Sequence, residues 1–143
     1  GSGLALAREL GVYPSDYRLR PCPIDADFED GVPIQVAGIE LTPIHVRGHS
    51  HDAFCLFDTE RRRLFSGDVV FYGGVLGLIN AEGSEMAGYR ADLGKLGGLA
   101  VEGLFPGHGL FTVAGGQRHI DCAIEQLRKG SISRQIGQGD LIF

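Results

Sequence analysis

Leu64-Phe65-Ser66-Gly67-Asp68-Val69-Val70-Phe71 carries the most architectural information of any run in the chain. A strand-like apolar run delivers a carboxylate, Asp68, and then turns apolar again. Two other runs share that layout, Gly48-His49-Ser50-His51-Asp52 upstream and Pro106-Gly107-His108-Gly109 downstream. Imidazole and carboxylate at strand ends are what a borderline cation such as zinc needs to be held with one position left for water. Taken singly, a histidine at a strand end is most often a hydrogen-bonded structural residue, and Gly-Asp is an ordinary turn signal. Three ligand-type residues on successive strand-end loops are a metal-site pattern. His49, Asp68 and His108 are therefore the expected metal ligands.

Working outward, the flanking sequence reads as strands followed by helices. Pro33–Val36 and Ile39–Val46 flank Ala37-Gly38, a tight hairpin turn; Ala53–Asp58 and Arg63–Ser66 flank Thr59–Arg62, a second hairpin. A glycine-rich loop runs from Val70 to Gly83. The spacing of Tyr89, Leu93 and Leu96 predicts a helix over Glu85–Leu99 with Ser84 as N-cap. Val101–Phe105 reads as a buried strand and His119–Lys129 as an amphipathic helix opened by Gly115-Gly116. At the other end, Leu4–Leu10 is helical and stops at Gly11, and residues 12–31 are irregular, with at most a short strand near Arg18–Arg20. The tail from Ser131 offers few anchors.

The bulk properties exclude several function classes. At 143 residues the chain is one domain's worth of material, residues 1–143, and its net charge of -5 argues against an extended nucleic-acid surface. The one basic run, Arg61-Arg62-Arg63, follows Asp58-Thr59-Glu60 and reads as a solvated turn. No apolar run approaches the ~18 residues of a membrane span. Three cysteines, Cys22, Cys55 and Cys122, form no Cys-x-x-Cys pair, which predicts reduced thiols and a reducing, cytoplasmic setting. Cys55 and Cys122 are expected in the core, and His45 and His119 are expected to be structural.

The order His, Asp, His in these contexts resembles the C-terminal half of the metallo-β-lactamase-fold hydrolase superfamily. Its most specific pieces are Ser66-Gly67-Asp68 and Pro106-Gly107-His108-Gly109, and it extends from the opening helix to the final one. The resemblance implies an α/β fold, the C-terminal half of a four-layer αβ/βα sandwich. It implies two metal ions, zinc or, on ligand hardness, equally iron or manganese. Asp68 would bridge them, with His49 completing one site and His108 the other. Activity would be hydrolysis of an ester, thioester or lactone in a small-molecule substrate, through a metal-held hydroxide that Asp68, the catalytic residue, positions. Asp at this point is typical of glyoxalase II-like thioesterases, lactonases and phosphodiesterases, whereas β-lactamases of the family usually carry Cys or Ser. Tyr72, the loop up to Asn80, and His51 are expected to line the substrate pocket.

The family's first metal motif, His-x-His-x-Asp-His, is absent. A match beginning at His49 fails because Ala53 and Phe54 stand where Asp and His are required. The segment Gly3–Gly11 fits the helix that follows that motif, so the chain is expected to be N-terminally incomplete. Its apolar sheet face, with Leu41, Phe54, Leu56 and Phe65, would then associate with a second copy or with the missing half. Two rival readings stay open: a non-catalytic fragment that binds metal weakly, and a di-iron redox member of the same superfamily.

Overall fold

Side-chain alternation along two short strands explains the sheet that organises the chain. In the computed structural model, which describes residues 2–130, Cys55 and Phe57 of Phe54–Asp58 are buried on one face, and Phe54 and Leu56 are half-buried on the other. Its neighbour Arg63–Gly67 repeats the pattern, with Leu64 and Ser66 buried and Phe65 exposed. These are strands β3 and β4 of a five-stranded sheet that also contains β1 (Ile34–Val36), β2 (Ile39–His45) and β5 (Gly103–Pro106), in the order β1-β2-β3-β4-β5. The first three pairings are antiparallel and β4–β5 is parallel. The β1–β2 turn has positive φ at both Ala37 (50°) and Gly38 (78°), the backbone that a two-residue hairpin with right-handed strand twist demands.

Helices cover the Cys55–Leu64 face. They are α2 (Met86–Asp92) and α3 (Gln117–Arg128), and α1 (Ser2–Glu9) opens the chain. Leu64, Leu76, Tyr89, Leu93, Leu96, Leu104 and Ile120 meet in one core between the sheet and these helices. Each fully buried leucine contributes ~1.5–3 kcal/mol relative to exposure, so this layer dominates the stability. The opposite face keeps an aromatic row. Phe65 stacks on Phe105 (5.4 Å between centroids) and Phe105 on Phe111 (5.7 Å), while Phe28 meets Phe54 edge-on.

Four expectations change. The helix predicted over Glu85–Leu99 ends at Asp92 and tightens into a 3-10 turn, Leu93–Leu96, because Gly94, Gly97 and Gly98 withdraw helix propensity from its second half. Ser84 does not cap it: Glu85 holds the N-cap position, and the Ser84 hydroxyl donates to the Gly48 carbonyl (3.1 Å) and accepts from the Ile79 amide (3.0 Å). Residues 18–20 form no strand. Leu41, expected in an exposed patch, is 7% exposed, although Phe65 on the same face is 40% exposed. The tail from Ser131 lies outside the described residues.

Candidate metal centre

Strand direction brings the three expected ligands to one edge. Two successive antiparallel pairings make β2 and β4 run the same way, and β5 is parallel to β4. His49 follows the end of β2, Asp68 the end of β4 and His108 the end of β5, so all three leave the sheet at its C-terminal edge. The oppositely directed β3 contributes none.

Asp68 stands between the two histidines. Its Oδ2 lies 3.6 Å from His49 Nε2 and its Oδ1 lies 3.5 Å from His108 Nε2. These separations exceed a charge-assisted hydrogen bond. Two donors on one tetrahedral cation, each ~2.1 Å from it, are ~3.4 Å apart, so each His–Asp pair matches one edge of a coordination polyhedron. The His49 tautomer agrees. Its Nδ1 is 2.6 Å from the Gly77 carbonyl, which can only accept, so Nδ1 carries a proton and, in the neutral ring a metal requires, the Nε2 lone pair faces Asp68. The donor set fits a metal. One carboxylate with a histidine at each oxygen is a two-position arrangement, and among the described residues no group of three or more His, Cys, Asp or Glu side chains is placed to hold one ion by itself.

Glycines make this proximity possible, one directly before each ligand. A Cβ on Gly107 would lie 2.6 Å from Asp68 Oδ1, and the Gly107 amide donates to the Gly67 carbonyl (2.8 Å), tying the His108 turn to the Asp68 turn. A Cβ on Gly77 would lie 1.8 Å from the Asp68 carbonyl oxygen. Gly48, at φ +140°, lies so close to the Tyr89 ring that a Cβ would reach within 2.3 Å of it.

The other expected residues are placed differently. His51 is exposed; its ring packs beside Gly83 and its carbonyl is 2.8 Å from His45 Nε2. Tyr72 sits at the tip of a small hairpin closed by the Val70–Leu76 bridge and packs at a tilt against His119 (4.1 Å between centroids, 39° between planes). Asn80 is exposed in the loop beyond. His45 stacks on Phe54 and His119 Nδ1 accepts the Gly73 amide (3.0 Å), structural placements for both. Burial beside Arg118 lowers the pKa of His119, keeping it a neutral acceptor. Cys55 is fully buried, with its thiol pushed up to about 12; Cys122 is only half-buried and Cys22 is exposed.

Sequence reasoning missed the supports behind the ligands. The side chain of Asp92 ties down the segment that carries His49: it accepts from Arg47 Nε (2.6 Å) and from the Arg47 amide (3.2 Å), and Lys95 adds an ion pair (3.3 Å). The Arg47 hydrogen bond, opposed in part by burial, holds the Asp92 carboxyl down at about 2. Tyr89 reads in the sequence as one apolar position of a helix, and only the glycine before each ligand hinted at such close packing.

Comparison with known proteins gives a consistent result. The family profile described as the metallo-beta-lactamase superfamily matches residues 3–108. The human acyl-coenzyme A thioesterase MBLAC2 is 32% identical over 113 residues, 76% of this chain and 39% of that protein. The atrochrysone carboxyl ACP thioesterase of Aspergillus fumigatus is 29% identical over 90% of this chain and 38% of its own length. The chain thus spans about two fifths of the length of these relatives. Among solved structures, a metallo-beta-lactamase family protein from Thermus thermophilus superposes with a TM-score of 0.63 at 17% identity, covering 90% of this chain and 45% of that one. TTHA1623 in a di-iron-bound form gives 0.58 at 27% identity, over 80% of this chain and 54% of that one.

Proposed function

This chain belongs to the metallo-β-lactamase superfamily, and we propose that it carries part of the active site of a metal-dependent hydrolase that cleaves acyl thioesters. The observation that carries the reading is the Asp68 carboxylate, with one oxygen toward Nε2 of each histidine. The thioester is favoured over an ester or lactone because both the MBLAC2 and the atrochrysone relatives are named thioesterases.

His49 and Asp68 would supply two donors to one cation and His108 and Asp68 two to a second, with the remaining donors coming from outside these three. Zinc, iron and manganese all suit oxygen and imidazole ligands, and the di-iron form of a relative keeps iron in view. The bound cations supply Lewis acidity and lower the pKa of water to near neutrality. The chain's own residues do the rest. The Gly77 carbonyl fixes the His49 ring, Asp68 holds the attacking water by hydrogen bond and takes its proton transiently at a carboxylate oxygen, and Gly107 and Gly109 leave the His108 turn open to substrate. His51, Tyr72 and Asn80 are proposed to shape the approach from further out.

The test uses the full-length protein and acyl-coenzyme A thioesters of graded chain length, following release of the free thiol. Release should stop with a chelator and return on adding Zn²⁺, Fe²⁺ or Mn²⁺. Thioester cleavage indifferent to chelation, or no cleavage by metal-loaded protein, would overturn the proposal.

A further inference from the structure

We propose that Tyr89 is a positioning residue for this centre, holding His49 and Asp68 in register through its hydroxyl; the inference rests on the metal-site reading above. Tyr89 lies on α2, wholly buried, between the two loops that carry those ligands. On one side its ring packs against Gly48, the residue before His49, so tightly that no side chain fits there. On the other its hydroxyl donates to the carbonyl of Val69 (3.0 Å), the residue after Asp68.

Gly77 links the two ligands. Its carbonyl accepts the His49 Nδ1 proton at 2.6 Å, and its Cα lies against the Asp68 carbonyl. The amide of Gly77 donates to that same Val69 carbonyl, at a long 3.4 Å. Without the Tyr89 oxygen, the Val69 carbonyl would keep only that weak bond, and both the Asp68 turn and the Gly77 carbonyl that orients His49 would be free to tilt. Burial raises the pKa of the phenol, so it remains an O–H donor at every working pH. A purely structural tyrosine needs the ring; this role needs the oxygen.

Tyr89→Phe keeps the ring and removes the oxygen. In the full-length protein it should weaken Zn²⁺ affinity ~10–100-fold, the usual cost of losing an outer support of a ligand, in competition with a chromophoric chelator. In the metal-free protein, ¹⁵N shifts should show His49 moving from a single Nδ1–H tautomer to a mixture. Ile120→Ala, a core truncation on α3, should lower the thermal midpoint at least as much yet leave affinity within ~3-fold and the tautomer unchanged. Unchanged affinity and tautomer in Tyr89→Phe, whatever its midpoint, would overturn the inference. Should that variant not fold, 3-fluorotyrosine at position 89 alters the same hydroxyl without emptying its site, and no change in the His49 shifts overturns the inference equally. If wild-type protein takes up no Zn²⁺, the metal reading fails, and the metal-free tautomer still decides the role of Tyr89.

Discussion

Gly77→Ala is the sharpest perturbation available at the candidate centre. The added methyl would sit 1.8 Å from the Asp68 carbonyl oxygen, where ordinary contact begins near 3.4 Å, so about 1.6 Å must be relieved by backbone movement. The obstruction is steric alone, since Gly77 does not adopt the left-handed conformation. Only the Asp68 turn or the segment around Gly77 can move, and either shift changes the 3.6 Å separation of His49 from Asp68. Overpacking of this kind costs ~1–3 kcal/mol, or ~4–12 °C in thermal midpoint for a domain of this size. A 1 Å misplacement of reacting groups costs ~100-fold in rate, so kcat/KM should fall by at least that factor, with a parallel loss of bound metal measured by elemental analysis. Gly94→Ala is the control, because nothing lies within 4 Å of its added Cβ; its stability should stay within ~0.5 kcal/mol of wild type. If both variants retained full metal content and activity, Gly77 would not be held against Asp68 as described.

Three further outcomes are expected. Asp68→Asn should remove most bound metal and thioester cleavage, while the exposed His51→Ala changes either less than ~3-fold; equal small losses in titration and rate assays would count against the bridging placement of Asp68. The Asp92 carboxyl sits at about 2 in the folded chain against an unperturbed 3.8, so its contribution to stability is full above 3.8 and lost as pH falls through 2. Acid unfolding of Asp92→Asn, followed by circular dichroism, should therefore be shallower between those values than that of wild type. Residues 1–143 expressed alone should self-associate through the aromatic row in which exposed Phe65 and Phe111 flank half-buried Phe105; sedimentation velocity across a concentration series checks this, and Phe65→Thr with Phe111→Ser should shift the chain toward monomer.

Much of this architecture was legible before any coordinates, because the signals were local. The alternation of Phe54 to Asp58 and of Arg63 to Ser66 sets two strands, Ala37-Gly38 sets a turn, and Ser66-Gly67-Asp68 and Pro106-Gly107-His108-Gly109 mark two turns that leave the same edge of the sheet. What could not be read depends on contacts between distant segments. Ser84 has ideal N-cap chemistry, but a better-placed pair of backbone partners in the Gly48 and Ile79 regions claims its hydroxyl. Leu41 belongs to the same alternating face as Phe65, yet the two differ in exposure by their positions across the sheet. Tyr72 carries a plausible substrate-facing ring, and tertiary packing sends it to His119. Periodicity says which face a residue occupies and nothing about what will arrive there.

The common direction of β2, β4 and β5 separates two kinds of connection. At the edge away from the ligands the joins are the Ala37-Gly38 turn, the Thr59–Arg62 turn and the return into β5. They are short and braced, with Asp58 held by Arg61 and Arg63 and Arg62 paired with Glu102. At the candidate-site edge the connections leaving β2, β4 and β5 are longer and richer in glycine, and the one leaving β5 is mostly exposed. Sequence drift at that second edge can reshape what the centre admits without disturbing strand register, because register is pinned at the first. On the proposed function, a scaffold divided in this way can acquire new substrates by loop exchange, and laboratory evolution of this chain would do well to randomise residues 50–52, 79–82 and 109–111 while leaving the braced turns alone.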